Sequence, residues 1–157
     1  MFHSRSTDTR PNPRRTLVTS LSDERRAALI AAVTSYLTLC ERRELAAAGT
    51  HLAPDAVLIF PGGRRYTDLE SMASAGDAVY ARMHKNMDRF DAFVDDEGRE
   101  VVVSIGTLEG ELLDGRRFDG VRYLDRFVVV DEAIVLQEVW NDLAALGFVP
   151  RTSDSGR

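Results

Sequence analysis

Residues 100–142 read EVVVSIGTLEGELLDGRRFDGVRYLDRFVVVDEAIVLQEVWND, and the pairing of these strands decides the fold. Apolar and polar residues alternate through most of the segment, as half-buried strands require. Asp114-Gly115 between two alternating runs signals a tight hairpin. A two-residue loop there sets Leu113 opposite Arg116, Gly106 opposite Tyr123 and Ser104 opposite Asp125. The next turn, Asp131-Glu132-Ala133, lacks glycine. A loop at Glu132-Ala133 pairs Asp131 with Ile134 and gathers Val121, Tyr123, Asp125, Phe127, Val129, Ile134, Leu136, Glu138 and Trp140 on one face.

Two carboxylates on that apolar face are the functional signal. In this register Asp125 and Glu138 are diagonal neighbours about 5–8 Å apart at the backbone. A buried carboxylate costs several kcal/mol unless it finds a donor, keeps a proton or faces a hydrated cavity. Coupling and desolvation would raise one pKa toward neutrality, so that one acid donates while the other accepts. The competing reading is a structural acid tied to Arg122, Arg126 or a backbone N–H. Ser104, Gly106 and Gly110, small residues on the same face, suggest a pocket. The other face, with Val101, Val103, Ile105, Arg122, Leu124, Arg126, Val128, Val130, Val135, Gln137 and Val139, carries enough aliphatic residues to expect a partner, most simply a second copy in a two-fold homodimer.

Working outward, Ser22 before Asp23 and Glu24 starts a helix whose apolar face carries Leu29, Val33, Tyr36 and Cys40. A second helix is expected from about Glu41 to Leu52. A short strand follows at Ala56–Phe60, stopped by Pro61-Gly62-Gly63. Thr67-Asp68-Leu69-Glu70 forms a capping box for a third helix reaching about Met83. Strands are then expected near 85–95, 100–113, 116–130 and 134–142. Helices first and antiparallel strands afterwards make an α+β fold, with the helices on one face of the sheet.

With 157 residues, 44% apolar and 29% charged, the chain fits one domain. Residues 1–20 carry +3 and read as a disordered basic arm; residues 151–157 carry +1 and read as a frayed tail. The body, residues 21–150, therefore holds −9 within a total of −5, which argues against a nucleic-acid partner. No apolar run is long enough for a membrane span, and Met1–Ser20 lacks a signal-peptide core, so a cytoplasmic location is expected. One Cys and three His at scattered positions predict no metal.

Of the remaining candidates, His84 could shuttle protons or simply end a helix. Tyr36, Tyr66 and Tyr123 could bond a substrate oxygen or only pack, and Trp140 and Phe60 read as pocket wall or core. Lys85 is the single lysine beside 19 arginines. A Schiff-base role would need desolvation, which Met83, Asn86 and Asp88 do not indicate. Codon usage in a GC-rich genome accounts for its rarity.

Three N-terminal helices with a curved sheet, ending in Gly120-Val121-Arg122-Tyr123-Leu124-Asp125-Arg126-Phe127 and Val139-Trp140-Asn141-Asp142, resemble the nuclear transport factor 2-like superfamily, in particular its SnoaL-like members. The likeness covers about residues 22–146. It implies a cone-shaped α+β barrel, usually dimeric, a scaffold that hosts ketosteroid isomerases, polyketide cyclases, limonene epoxide hydrolases, dehydratases and non-catalytic binders. By this resemblance Asp125 falls at the strand aspartate of the epoxide hydrolases and Glu138 at their last-strand aspartate. The arginine between those acids is Tyr123 here, which speaks against epoxide hydrolysis. Glu138 also matches the last-strand base of the cyclases, and Tyr36 and His84 match the first-helix tyrosine and third-strand histidine of the dehydratases. The expected activity is cofactor-free isomerisation, dehydration or cyclisation of a small apolar carbonyl or hydroxyl compound. The alternative is a ligand-binding or dimerisation module of the same fold.

Overall fold

The computed structural model describes residues 20–150, so the expected arm (apart from Ser20) and tail lie outside the described residues. Helix α1 (Asp23–Glu41) starts where Ser22 Oγ accepts the Arg25 N–H at 3.1 Å. It ends at Arg43, which turns left-handed with φ 61°. Its apolar stripe, Leu29, Val33, Tyr36 and Leu37, is buried against the sheet, with the Tyr36 ring edge-on to Phe127 at 6.0 Å. Helix α2 is a single short piece (Leu45–Gly49). Strand β1 (Leu52–Phe60) is longer than expected, and Gly62 and Gly63 at positive φ turn it into an unexpected short strand, β2 (Arg64–Tyr66).

Helix α3 (Leu69–Asp77) is capped by Asp68, not Thr67: the Asp68 carboxylate accepts both the Ser71 N–H at 2.7 Å and its hydroxyl at 2.9 Å. It stops well short of Met83. Gly76 weakens its last turn, and from Tyr80 onward the pattern already has period two. Strands β3 (Tyr80–Val94), β4 (Glu100–Leu112), β5 (Arg117–Val130) and β6 (Ala133–Asn141) complete a six-stranded open sheet in the order β2-β1-β6-β5-β4-β3. The sheet is mixed rather than wholly antiparallel, because β1 runs parallel to β6.

The predicted β4–β5 pairs Ser104–Asp125 and Gly106–Tyr123 are present, but two departures cancel to produce them. The hairpin loop has three residues, with Leu112 N–H bonded to the Arg116 carbonyl and Gly115 at φ 86°. A bulge at Asp119-Gly120, with Gly120 at φ 66°, then restores the register. The β5–β6 register differs from expectation. Asp131 and Glu132 form the two-residue turn in left-handed conformation (φ 48° and 66°), so Val130 pairs with Ala133. A bulge at Val135 follows, and Asp125 faces Val139 while Arg126 faces Glu138. The shift reverses β6: Gln137 and Val139 join Asp125 on the inner face, and Glu138 and Trp140 turn outward.

Gly106 and Gly110 do not line the large cavity on the inner side of the sheet. They pair with Met87 and Met83, near the β3 bulges at Asp88 and Ala81, and a Cβ on either would overlap the carbonyl oxygens of Asn86 and Arg82. Their absent side chains let the sheet coil over the helices. Gly106→Ala should therefore cost about 1–3 kcal/mol by overpacking against rigid backbone, read as a lower urea midpoint than wild type. An unchanged midpoint would remove the close approach as the reason for glycine.

Candidate active site

The inner face of the sheet, the end of α1, α3 and the β1–β2 hairpin enclose a cavity of about 540 Å³. Leu37, Phe60, Met72, Met83 and Leu108 give it apolar walls, and Phe60 stands edge-on to Tyr66 at 5.5 Å. Strand β3 alternates Met83, Lys85 and Met87 toward the inside, which carries the one lysine of the chain into this apolar space. Its side chain is 18% exposed.

Lys85 Nζ donates to Asp125 Oδ2 and sits 4.4 Å above the centre of the Tyr123 ring, so it meets a carboxylate on one side and a π face on the other. Asp125 is fully buried beneath it and does not itself line the cavity. Burial pushes the Asp125 carboxyl above its ordinary value, while Lys85 and Gln137 pull it back. Its Oδ1 is buried and meets no donor among the described residues.

The donor and acceptor roles follow from the ammonium. Because Oδ2 accepts from Lys85, Gln137 must turn its amide N–H toward Asp125, 3.5 Å away. Its carbonyl oxygen then faces Tyr36, whose hydroxyl donates to it at 2.8 Å. Tyr36 is buried, and desolvation holds its phenol well above the usual range. Tyr123 is pushed up to about 12, chiefly by burial, with the Ser104 hydroxyl 2.9 Å away opposing. Cys40 lines the cavity beside Tyr36, its thiol also raised by burial.

Among the residues expected at the site, Tyr36, Tyr123, Phe60 and Tyr66 line the cavity. Ser104 is buried behind Tyr123, and Asp125 lies behind Lys85. The expected Asp125–Glu138 pair is not formed: Glu138 is on the outer face, bonded to Arg126 at 2.9 Å, and Arg126 also reaches Asp95 at 3.5 Å. Trp140, 51% exposed, is likewise outside. His84 stands on β3 rather than at a helix end, pointing away from the cavity and bonded to Glu41 at 2.6 Å. Glu41 holds that strand with both oxygens, since Oε2 accepts the Lys85 N–H at 3.2 Å. Lys85, Gln137, Tyr80 and Cys40 were not read as site residues. For Lys85 a signal existed in Met83-x-Lys85-x-Met87, one row of a strand.

Among the described residues no group of His, Cys, Asp and Glu has the arrangement of a metal site, and no helix is long and apolar enough to cross a membrane. No family model matches the sequence, and no curated protein matches it. Solved structures do match. An NTF2-like protein of unknown function from Burkholderia pseudomallei K96243 superposes with TM-score 0.64 at 19% identity, over 76% of this chain and 94% of that one. A putative SnoaL-like polyketide cyclase from Jannaschia sp. CCS1 gives 0.61 at 14% identity, over 77% and 90%. An LEH-like epoxide hydrolase from M. tuberculosis gives 0.56 at 19% identity, over 75% and 85%. The chain thus has the nuclear transport factor 2-like α+β fold, one shared by enzymes of different chemistry.

Removing one member of the buried pair should be costly. Lys85→Met leaves a buried carboxylate uncompensated, and we expect a loss of about 3–5 kcal/mol at neutral pH in urea unfolding. Asp125 titrates higher folded than unfolded, so its favourable contribution is present below the unfolded value of about 3.9 and is lost as pH rises through the folded value. The variant should therefore lose stability as pH rises above about 4, and adding Asp125→Leu should recover most of it. Equal stability of the two variants would contradict the pairing.

His84 offers a second titration. Its bond to Glu41 raises its pKa, so the stabilisation is complete below about pH 6.5 and is lost as pH rises through the folded value. His84→Gln should flatten the fall in urea midpoint as pH rises above about 6.5. A wild-type slope retained in the variant would rule the pair out as its source.

Proposed function

We propose that the cavity binds a small, largely apolar carbonyl or hydroxyl compound and catalyses cofactor-free proton transfer on it: isomerisation, dehydration or aldol-type cyclisation. The observation that carries this reading is the Lys85–Asp125 pair at the floor of an apolar cavity. A carbonyl oxygen meeting the remaining Lys85 N–H would be polarised, and the ammonium would stabilise an enolate far better there than in water. Asp125 holds the ammonium in place and supplies its counter-charge. Glu41, a residue of the cavity wall, would act as the base on release of its carboxylate from His84 and the Lys85 N–H, and Tyr36 or Tyr123 would position a second oxygen. The likeness to a putative polyketide cyclase supports this class of substrate but does not choose among the reactions.

A second reading, a ligand-binding module, draws support from the complete burial of Asp125, which leaves that acid no direct path to a ligand. A homodimer through the outer sheet face, where Phe93, Val130 and Trp140 are half exposed, is part of either proposal.

Exchange of α-hydrogens separates the two. With 2-decalone in D2O, we expect protein-dependent deuterium incorporation by NMR, reduced at least about tenfold in Lys85→Met that circular dichroism shows to be folded. A ketone that binds but exchanges no faster than in buffer would leave the binding module.

A further inference from the structure

Lys85 combines three properties that an amine nucleophile needs: an apolar surrounding, access to a cavity and a buried proton acceptor in direct contact. An exposed lysine is a poor nucleophile at neutral pH because it is almost wholly protonated. Here the proton has somewhere to go. Asp125 has no solvent exposure, its Oδ1 meets no donor among the described residues, and a proton moved from Nζ to the carboxylate converts two desolvated charges into two neutral groups. A ligand that fills the cavity and displaces water favours that neutral pair further, since the penalty on separated charges rises as the local dielectric falls.

We propose that Lys85 forms a covalent imine with aldehydes and ketones bound in the cavity. This rests on the reading that the cavity accepts carbonyl compounds, but adds a bond that proton transfer alone does not need. Lys85 passes one proton to Asp125, and the nitrogen lone pair attacks the carbonyl carbon, forming the C–N bond while the C=O electrons move onto oxygen. A proton moves from that nitrogen to the adjoining oxygen, Asp125 returns its own proton to the nitrogen it contacts, and a second proton passes from nitrogen to the hydroxyl, which leaves as water. Both hydrogens of the water come from the lysine nitrogen, and the product is an iminium paired with the Asp125 carboxylate. No oxidant, reductant or metal enters. The Tyr123 ring, 4.4 Å from Nζ, then lies against a cation as it did before.

The sequence makes the test clean, because the only primary amines of the chain are Lys85 and its α-amine. The intact wild-type protein is incubated at about pH 7 with 2-naphthaldehyde and sodium cyanoborohydride, which reduces an iminium to a stable secondary amine, and labelled peptides are quantified by mass spectrometry. The same chain unfolded in urea reports the reactivity of an ordinary lysine, and the α-amine is the internal reference in both samples. We expect Lys85 of the folded protein to be labelled at least about tenfold faster, relative to the α-amine, than Lys85 of the unfolded chain. A smaller ratio overturns the imine. If deuterium exchange into 2-decalone is nonetheless catalysed, the noncovalent reading stands and the covalent one falls. If labelling is fast and exchange absent, the reverse holds.

Discussion

A carboxylate buried without any solvent exposure in the middle of a sheet is the constraint around which this protein is arranged. Asp125 sits on β5 with neighbouring strands on both sides, where an uncompensated charge would cost several kcal/mol. The answer comes from three elements far apart in sequence. β3 brings Lys85, β6 brings Gln137, and α1 brings Tyr36 to close the chain of hydrogen bonds. Each link fixes the polarity of the next, so one cation determines which way an amide and a phenol point. The same arrangement that satisfies Asp125 holds an amine at the floor of the cavity, which makes it structural and chemical at once.

Much of the fold could be read in advance, for reasons that differ by element. Helix α1 announces itself through a serine cap and a 3.6-residue stripe, and the long strands through alternation. The β4–β5 pairing came out right although the loop was read one residue short, because the bulge at Gly120 repaid the error. The β5–β6 pairing came out wrong because its turn uses aspartate and glutamate where left-handed geometry usually selects glycine or asparagine, and because nothing in the composition marks the Val135 bulge. Expectations about facing residues are only as good as the last bulge.

That single displacement governs how much of the site was legible. Asp125 was found because its register depended on the glycine-marked hairpin. Glu138 was drawn into the site, and Gln137 left out of it, by the unmarked bulge at Val135, since the turn alone displaces the register by an even step that leaves every facing unchanged. Lys85 was set aside for a different reason: its neighbours in sequence are polar, whereas its neighbours in space are two residues away along the strand and across the sheet. Desolvation belongs to the tertiary structure and leaves little trace in adjacent letters.

Strand β3 is both the source of the lysine and one open edge of the sheet, fifteen residues long. Such an edge would ordinarily invite another chain to pair with it. Here two bulges break its straight run, charged side chains stand along it, and Glu41 occupies the outward N–H of Lys85. The clamp from helix to edge therefore also acts against aggregation, making the strand that furnishes the site a poor template for strand addition.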